Sequence, residues 1–348
     1  MKNNIVVVKE MKSLIKKAPG FKKKELADYK LDIIALCEFG CRYCSSNEGN
    51  YLRINRKKFA KDAKNQIGRA VIPKDDPSLM MVWHDVVGQL ENELSGKPKG
   101  FGAGLTLMFS MLTDGFSPSL VREGTTKKVL KLMLDQTSFR IRVLTKNAIV
   151  GSPEWLEFFV KHKDRFVVGL SIGSLDDAWS KNMERGTSSP SERFEALANL
   201  QRSGVPTFGM LCPVFPDIVL NKQVEEMVKL VRPEVVENIW VEPYNDRNNW
   251  AVVRDGYTQN SPVYKWFTDV YDLKKTQRWS AYATELYLRL RLEALEYEWL
   301  PKLKYLLYED KIMSDDAPMF RGLDGVLLQS KPGDDGLSKN PHIARLQR

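Results

Sequence analysis

Apolar runs of strand length recur along the chain and alternate with helix-like segments. The runs cover residues 31–36, 105–112, 139–144, 166–172, 205–214 and 239–244. They are apolar throughout rather than alternating, which is typical of parallel strands buried on both faces. Segments of helical length, several opened by Ser, Thr or Pro, lie between them at 125–134, 153–161, 191–203 and 223–231. The pattern predicts an α/β fold, either a partial (β/α)6 barrel, which the number of units favours, or an open doubly wound sheet.

The stretches outside this repeat define the predicted domain organisation. We expect a basic N-terminal arm, a barrel with an insertion in its first crossover, a mixed C-terminal extension and a flexible tail. Their predicted boundaries are 1–30, then 31–245 with the insertion at 51–100, then 246–325, and finally 326–348. The insertion contains an apolar segment at 79–94, and a helical pattern covers 284–299 of the extension.

Composition limits the class of protein. Of 348 residues, 43% are hydrophobic, which is enough for a buried core and excludes disorder as the main state. The 53 Lys and Arg exceed the 44 Asp and Glu, and the resulting net charge of +9 favours anionic partners. Because the sequence contains no apolar stretch of about 18 residues and no signal-like start, we expect a cytoplasmic protein without a membrane partner.

Three of the four cysteines lie within eight positions, at Cys37, Cys41 and Cys44, directly after the first predicted strand. A structural zinc site needs four ligands, and neither Cys212 nor any histidine lies close enough in sequence to be an obvious fourth. Three thiolates instead leave one iron of a [4Fe–4S] cluster open to a small molecule. The spacing therefore favours an iron-sulfur cluster over zinc.

With Tyr43, the cysteines form a Cys-x3-Cys-x-aromatic-Cys motif that resembles the signature of the radical S-adenosylmethionine (SAM) superfamily. The resemblance implies a partial barrel and a [4Fe–4S] cluster held by the three cysteines. It also implies that SAM binds the fourth iron and is cleaved reductively to a 5′-deoxyadenosyl radical. We expect an external one-electron reductant such as flavodoxin or ferredoxin as a partner.

Within that superfamily, residues 30–245 are most similar to the spore photoproduct lyase group. The matching segments are 110–118, 144–147, 170–173, 184–193 and 213–216. All lie at the ends of predicted strands, where βα barrels build their sites. The resemblance implies cofactor-binding roles for Tyr43, Thr113, Asp114, Ser171, Glu184 and Arg193.

Two of these residues suit the cofactor chemically. Asp114 could accept a hydrogen bond from the ammonium group of SAM, and Arg193 could clamp its carboxylate with two hydrogen bonds. The alternatives are that Asp114 is a turn residue and that Arg193 pairs with Glu184 or Glu195 on a solvated helix face. Lys146 could contact substrate or SAM, or could be a solvated strand end.

A departure from the lyase group concerns the hydrogen-atom donor. In that group a cysteine downstream of the motif donates a hydrogen atom, but here no cysteine occurs between Cys44 and Cys212. Cys212 is therefore the candidate donor, with a small buried packing residue as the alternative.

A basic segment follows the cysteine motif and suggests a path for phosphates. The predicted nucleic-acid contacts are Arg53, Arg56, Lys57, Lys58 and Lys61, with a solvated helix face as the alternative. Aromatic residues after position 245 are candidate stacking platforms. We expect a radical SAM lyase or modifying enzyme acting on DNA or another nucleic acid or nucleotide. The alternatives are a radical SAM enzyme of peptides or small metabolites, and a non-catalytic metal-stapled nucleic-acid-binding protein.

Overall fold

A computed structural model describes residues 5–11, 13–308, 311–320 and 324–328. The chain divides into two compact units. Of the described residues, the first unit comprises those within 5–170, 180–206 and 247–249, and the second those within 171–179, 207–246 and 250–328.

The strands of the described residues are short. They are β1 Ile5–Lys9, β2 Ile15–Lys17, β3 Tyr29–Leu31, β4 Ile34–Leu36, β5 Leu79–Trp83, β6 Thr106–Phe109, β7 Arg140–Thr145, β8 Phe166–Ser171, β9 Thr207–Val214, β10 Ile239–Pro243, β11 Leu303–Leu307 and β12 Val326–Leu328. Strands β3 and β6–β10 correspond to the six predicted barrel strands.

Five of the thirteen described α-helices overlap segments that the sequence pattern predicts as helical. They are α1 Pro19–Lys22, α2 Asn50–Ile67, α3 Val86–Ser95, α4 Pro118–Arg122, α5 Thr125–Gln136, α6 Pro153–Lys161, α7 Asp177–Met183, α8 Pro190–Arg202, α9 Pro216–Leu220, α10 Val224–Val231, α11 Trp250–Arg254, α12 Pro262–Phe267 and α13 Thr276–Glu296. Helix α8 begins at a capping box, in which the Ser189 hydroxyl accepts from the Glu192 amide and the Glu192 carboxylate accepts from the Ser189 amide.

The main sheet of the first unit has the strand order β2-β3-β6-β7-β8. Strand β2 pairs antiparallel with β3, and the pairs from β3 to β8 are parallel. Every residue of β8 is buried, and all but Ser171 at its end are apolar or glycine, as a strand covered on both faces requires. In the second unit, β9, β10, β11 and β12 follow one another in parallel.

A second, small sheet in the first unit has the order β1-β5-β4, and its central strand β5 lies in the predicted insertion. Helix α2 contributes Leu52, Phe59 and Ala63 to the core beneath it. The run predicted at 31–36 is therefore two strands rather than one, because the chain leaves the main sheet after β3 and pairs antiparallel with β5 through β4. The indole of Trp83 in β5 donates to the Asp32 carbonyl at that point, 3.0 Å away.

Two predicted peripheral regions contain regular structure. The range expected as a basic arm includes β1 and β2, and β1 is paired along its length with β5. The expected C-terminal extension adds β11 to the parallel strands of the second unit, and β12 begins at the predicted tail. Residues 329–348 of that tail lie outside the described residues.

The α/β fold class, with parallel strands that follow one another in chain order, is confirmed. Among the described helices, none has the length and apolar character needed to cross a membrane.

Candidate active site

The three clustered cysteines lie on one loop between β4 and α2. The loop starts directly after β4, and Gly40 takes a positive φ of 60° between the first two cysteines, a conformation that favours glycine. The Cys44 amide then donates to the Cys41 carbonyl at 3.1 Å, which closes a turn around Tyr43. All are free thiols, so the loop offers three sulfur ligands.

The surroundings of these thiols decide what they can bind. Burial raises the pKa of Cys37 to about 12, and the neighbouring charges of Cys44 and Asp114 raise it further. Burial also raises the pKa of Cys41, and the Glu184 charge acts in the same direction. At neutral pH these two thiols are therefore protonated unless a cation stabilises the thiolates, as iron does in a cluster.

The loop offers the three sulfur atoms that a cluster needs, although these atoms do not surround one single metal position. In the described ranges, no group of three His, Cys, Asp or Glu side chains is placed around a single metal position. A [4Fe–4S] cluster does not require this, because each cysteine binds a different iron atom. Cys37, Cys41 and Cys44 thus fit the role of three ligands that leave one iron without a protein ligand.

A buried carboxylate, Glu184, connects this loop to three other elements. It accepts from the Tyr43 hydroxyl of the loop and from Arg193 of α8. It also accepts from Lys146 Nζ at 2.8 Å, after β7, and from the Ser180 hydroxyl of α7 at 2.7 Å. The Lys146 ammonium lies 5.5 Å from the centre of the Tyr43 ring. One carboxylate therefore fixes the aromatic residue of the motif.

The electrostatics of this group follow from its burial. Glu184 and Arg193 are 4% and 0% exposed. Burial by itself raises the pKa of a carboxyl, but the charges of Lys146 and Arg193 outweigh it and hold the pKa of Glu184 well below its usual range. Arg193 also donates to the Ser188 carbonyl at 2.9 Å and the Ser180 hydroxyl at 3.1 Å. Glu184 and Arg193 thus pair with each other, which is the alternative that the sequence left open for Arg193, and the pair is buried rather than solvated.

Asp114 also binds its own chain. Its oxygens accept from the Phe116 amide at 2.9 Å, the Lys146 amide at 2.8 Å and the Thr145 hydroxyl at 2.9 Å. Burial raises its pKa to about 6 despite these hydrogen bonds. Thr113 donates from its hydroxyl to the Ile34 carbonyl at 2.9 Å. These bonds join the segment after β6 to the start of β4 and to the end of β7. The contact of Asp114 with SAM stays a prediction.

Several contacts that hold the cysteine loop in place cannot be predicted from the sequence around it. The Arg42 amide donates to the Met183 carbonyl at 2.8 Å, and Asn249 donates to the Arg42 carbonyl at 3.2 Å. Gly186 passes so close that an added Cβ would lie 3.0 Å from Phe39 Cα. Residues 247–249 therefore return to the loop from a distant part of the chain.

The second unit contains two further predicted site residues. Ser171 is buried at the end of β8, and its hydroxyl lies 3.4 Å from the Cys212 carbonyl. Cys212 is partly buried in β9, and its thiol contacts the Trp240 carbonyl at 3.6 Å. Their roles in cofactor binding and hydrogen-atom donation stay predictions.

The predicted nucleic-acid contacts lie together on helix α2. Arg53, Arg56, Lys57, Lys58 and Lys61 are all exposed, whereas Leu52, Phe59 and Ala63 on the other side of the helix are buried. The structure thus places the five side chains on one solvent-facing helix that begins shortly after the cysteine loop.

Comparison with known sequences finds distant relatives. No protein-family model matches the chain. It is 22% identical over 134 residues to the uncharacterized protein ORF301 of Acidianus two-tailed virus, which covers 38% of this chain and 43% of that protein. It is 24% identical over 194 residues to the uncharacterized protein MJ0683 of Methanocaldococcus jannaschii, which covers 56% and 62%. The match therefore spans less than two thirds of either relative.

Solved structures give a second comparison. A mutant of spore photoproduct lyase is 16% identical and matches 74% of this chain and 68% of its own, with a TM-score of 0.46. A tagged anSMEcpe with bound AdoMet is 13% identical and matches 78% and 59%, with a TM-score of 0.44. Identities and scores at this level carry no argument about the activity or the substrate of this chain.

Proposed function

We propose that this protein is a radical SAM enzyme that holds a [4Fe–4S] cluster on Cys37, Cys41 and Cys44. The observation that carries the proposal is the loop itself, on which three free thiols are spaced as the superfamily motif requires and follow directly on a strand. When bound, the cluster would supply the electron for cleavage of SAM to methionine and a 5′-deoxyadenosyl radical, which takes a hydrogen atom from the substrate.

The chain's own residues position this loop. Tyr43 donates to Glu184, and Lys146 and Arg193 neutralise that carboxylate, so the loop is anchored to residues of other elements. Asp114 anchors the adjacent segment after β6 through bonds to Thr145 and to the amide of Lys146. Rigid support of this kind keeps ligands in place for a reaction at one open position.

For the substrate we propose DNA or another nucleic acid or nucleotide, in a lyase-like repair or a base modification. The exposed basic residues of α2 support this, because they follow the cysteine loop directly and the net charge of +9 has the same sign. A flavodoxin or ferredoxin is the reductant that we propose.

Metal analysis of anaerobically reconstituted protein tests the cluster. We expect about four iron and four sulfide per chain in the wild type and loss of both in Cys41→Ala, because the open-site cluster needs all three thiolates. Cys212→Ala is the matched control, since it removes a thiol from outside the loop and should retain the iron. One zinc and no sulfide in a fully folded protein would instead support the metal-stapled binding protein.

A second measurement tests the enzyme. Reduced protein with SAM should release 5′-deoxyadenosine slowly even without substrate, and Cys41→Ala should release none. A complete cluster without any 5′-deoxyadenosine would contradict the proposal.

A further inference from the structure

The backbone holds the Glu184 carboxylate beside the part of the cysteine loop that contains Cys41. Met183, which precedes Glu184, accepts through its carbonyl from the Arg42 amide at 2.8 Å. Gly186, two positions after Glu184, donates its amide to the loop carbonyl two positions before Cys41 at 3.0 Å. The loop is therefore bonded on both sides of Cys41 by the segment that carries this carboxylate.

Lys146 brings a positive charge to the same place. Its ammonium lies 2.8 Å from one Glu184 oxygen and 5.5 Å from the centre of the Tyr43 ring. The Lys146 side chain is 15% exposed, so most of it lies against the protein rather than in water. Two further charged groups lie next to this pair: Arg193 bonds the other Glu184 oxygen, and Asp114 accepts from the Lys146 amide.

Charges in this position act on any anion that the loop holds. Cys41 is 6% exposed and Glu184 is 4% exposed, so they interact through the protein interior, where charges are screened weakly. One-electron reduction adds a negative charge to an iron-sulfur cluster and its thiolates, and the potential of this step depends on the local charge. A buried cation therefore favours the reduced state, and a buried carboxylate favours the oxidised state.

We infer that Lys146 and Glu184 set the reduction potential of the cluster on the cysteine loop in opposite directions; this rests on the proposed function. The Lys146 ammonium raises the potential, which helps an external one-electron reductant to pass its electron to the cluster. The Glu184 carboxylate lowers the potential and at the same time holds Lys146 near the loop. Both residues thus act on the cluster through their charge, without contact with SAM.

A redox titration of the anaerobically reconstituted protein, followed by the electron paramagnetic resonance signal of the reduced cluster, tests the inference in the absence of SAM. Lys146→Gln should shift the midpoint potential to a more negative value, and Lys146→Arg should restore it because the charge is kept. Glu184→Gln should shift the potential in the opposite direction. Iron and sulfide analysis and circular dichroism verify the cluster and the fold of each variant. If Glu184→Gln does not fold, the two Lys146 variants decide the inference by themselves.

Two controls separate the effect of charge from loosening of the loop. Tyr43→Phe removes a hydrogen bond to Glu184 but no charge, so it should shift the potential clearly less than Lys146→Gln does. Lys128→Gln removes an exposed cation from α5, where water and salt screen it, and should leave the potential unchanged. An equal shift in Tyr43→Phe and Lys146→Gln, or shifts of the same sign in Lys146→Gln and Glu184→Gln, would overturn the inference.

The outcome for the proposed function is separate. Wild-type protein that binds no iron and sulfide would contradict the proposed function and remove the basis of the inference with it. A complete, reducible cluster with the same midpoint potential in wild type and Lys146→Gln would overturn the inference alone and leave the proposed function intact.

Discussion

Two buried carboxylates, one in each unit, behave in opposite ways. Glu184 in the first unit is 4% exposed, and Lys146 and Arg193 hold its pKa well below the usual range although burial opposes them. Asp217 in the second unit is 8% exposed, and burial raises its pKa to about 6, although the Tyr257 hydroxyl donates to it at 2.9 Å. The charge of Asp176 raises the pKa of Asp217 further.

The difference shows what burial alone does and what a cation adds. Burial raises the pKa of both groups, and a hydrogen bond from a neutral hydroxyl does not reverse that effect. Two cations do. The carboxylate next to the cysteine loop therefore stays charged, whereas Asp217 takes up a proton under mildly acidic conditions.

The largest effect is expected when the charge of Glu184 is removed. Glu184→Gln leaves Arg193 buried without a counter-charge, which should lower the free energy of unfolding by about 3–5 kcal/mol. Urea unfolding under anaerobic conditions measures this. Glu195→Gln on the exposed side of α8 is the matched control and should change stability by less than about 0.5 kcal/mol. Equal effects of the two substitutions would show that the ion pair contributes nothing.

The two carboxylates also differ in how they make the free energy of unfolding depend on pH. Asp217 has a pKa of about 6 in the folded protein, and about 4 is expected in the unfolded chain. The folded state then binds more protons between these values, so the free energy of unfolding contributed by this group falls as the pH rises from about 4 to about 6. The total is on the order of 3 kcal/mol.

Asp217→Asn should abolish that part of the pH dependence and keep the hydrogen bond from Tyr257. The free energy of unfolding of wild type and variant is measured at several pH values. The difference between the two proteins at each pH isolates Asp217, because the other titrating groups contribute equally to both. Parallel pH profiles for wild type and variant would refute the raised pKa. Glu184 contributes with the opposite sign, because its stabilisation is present above about pH 4 and is lost below it.

The smallest effect is expected for the motif tyrosine. Tyr43→Phe removes one donor to a charged acceptor that keeps three others, so the free energy of unfolding should fall by about 1.5–2 kcal/mol. Tyr51→Phe on α2 serves as the control for loss of a hydroxyl. No difference between the two variants would mean that Tyr43 holds the loop by its ring alone.

The local pattern was sufficient for much of the fold. Apolar runs located the parallel strands, and Pro or Ser at helix starts located helices such as α6 and α8. It failed where pairing between distant segments decides the structure. Residues 31–36 have one apolar pattern, yet Leu31 pairs in the main sheet whereas Ile34 and Leu36 pair with β5, because the apolar face of the insertion needs a second sheet to cover it.

The candidate site divides in the same way. The sequence by itself determined the cluster of three cysteines, the aromatic residue between two of them and the basic helix that follows, because these are properties of spacing within a short stretch. Only the tertiary structure decided that Tyr43 donates to Glu184, 141 positions away, and that Arg193 is committed to the same carboxylate. The physical reason is that a buried charge requires partners on every side, and those partners come from elements that only folding brings together.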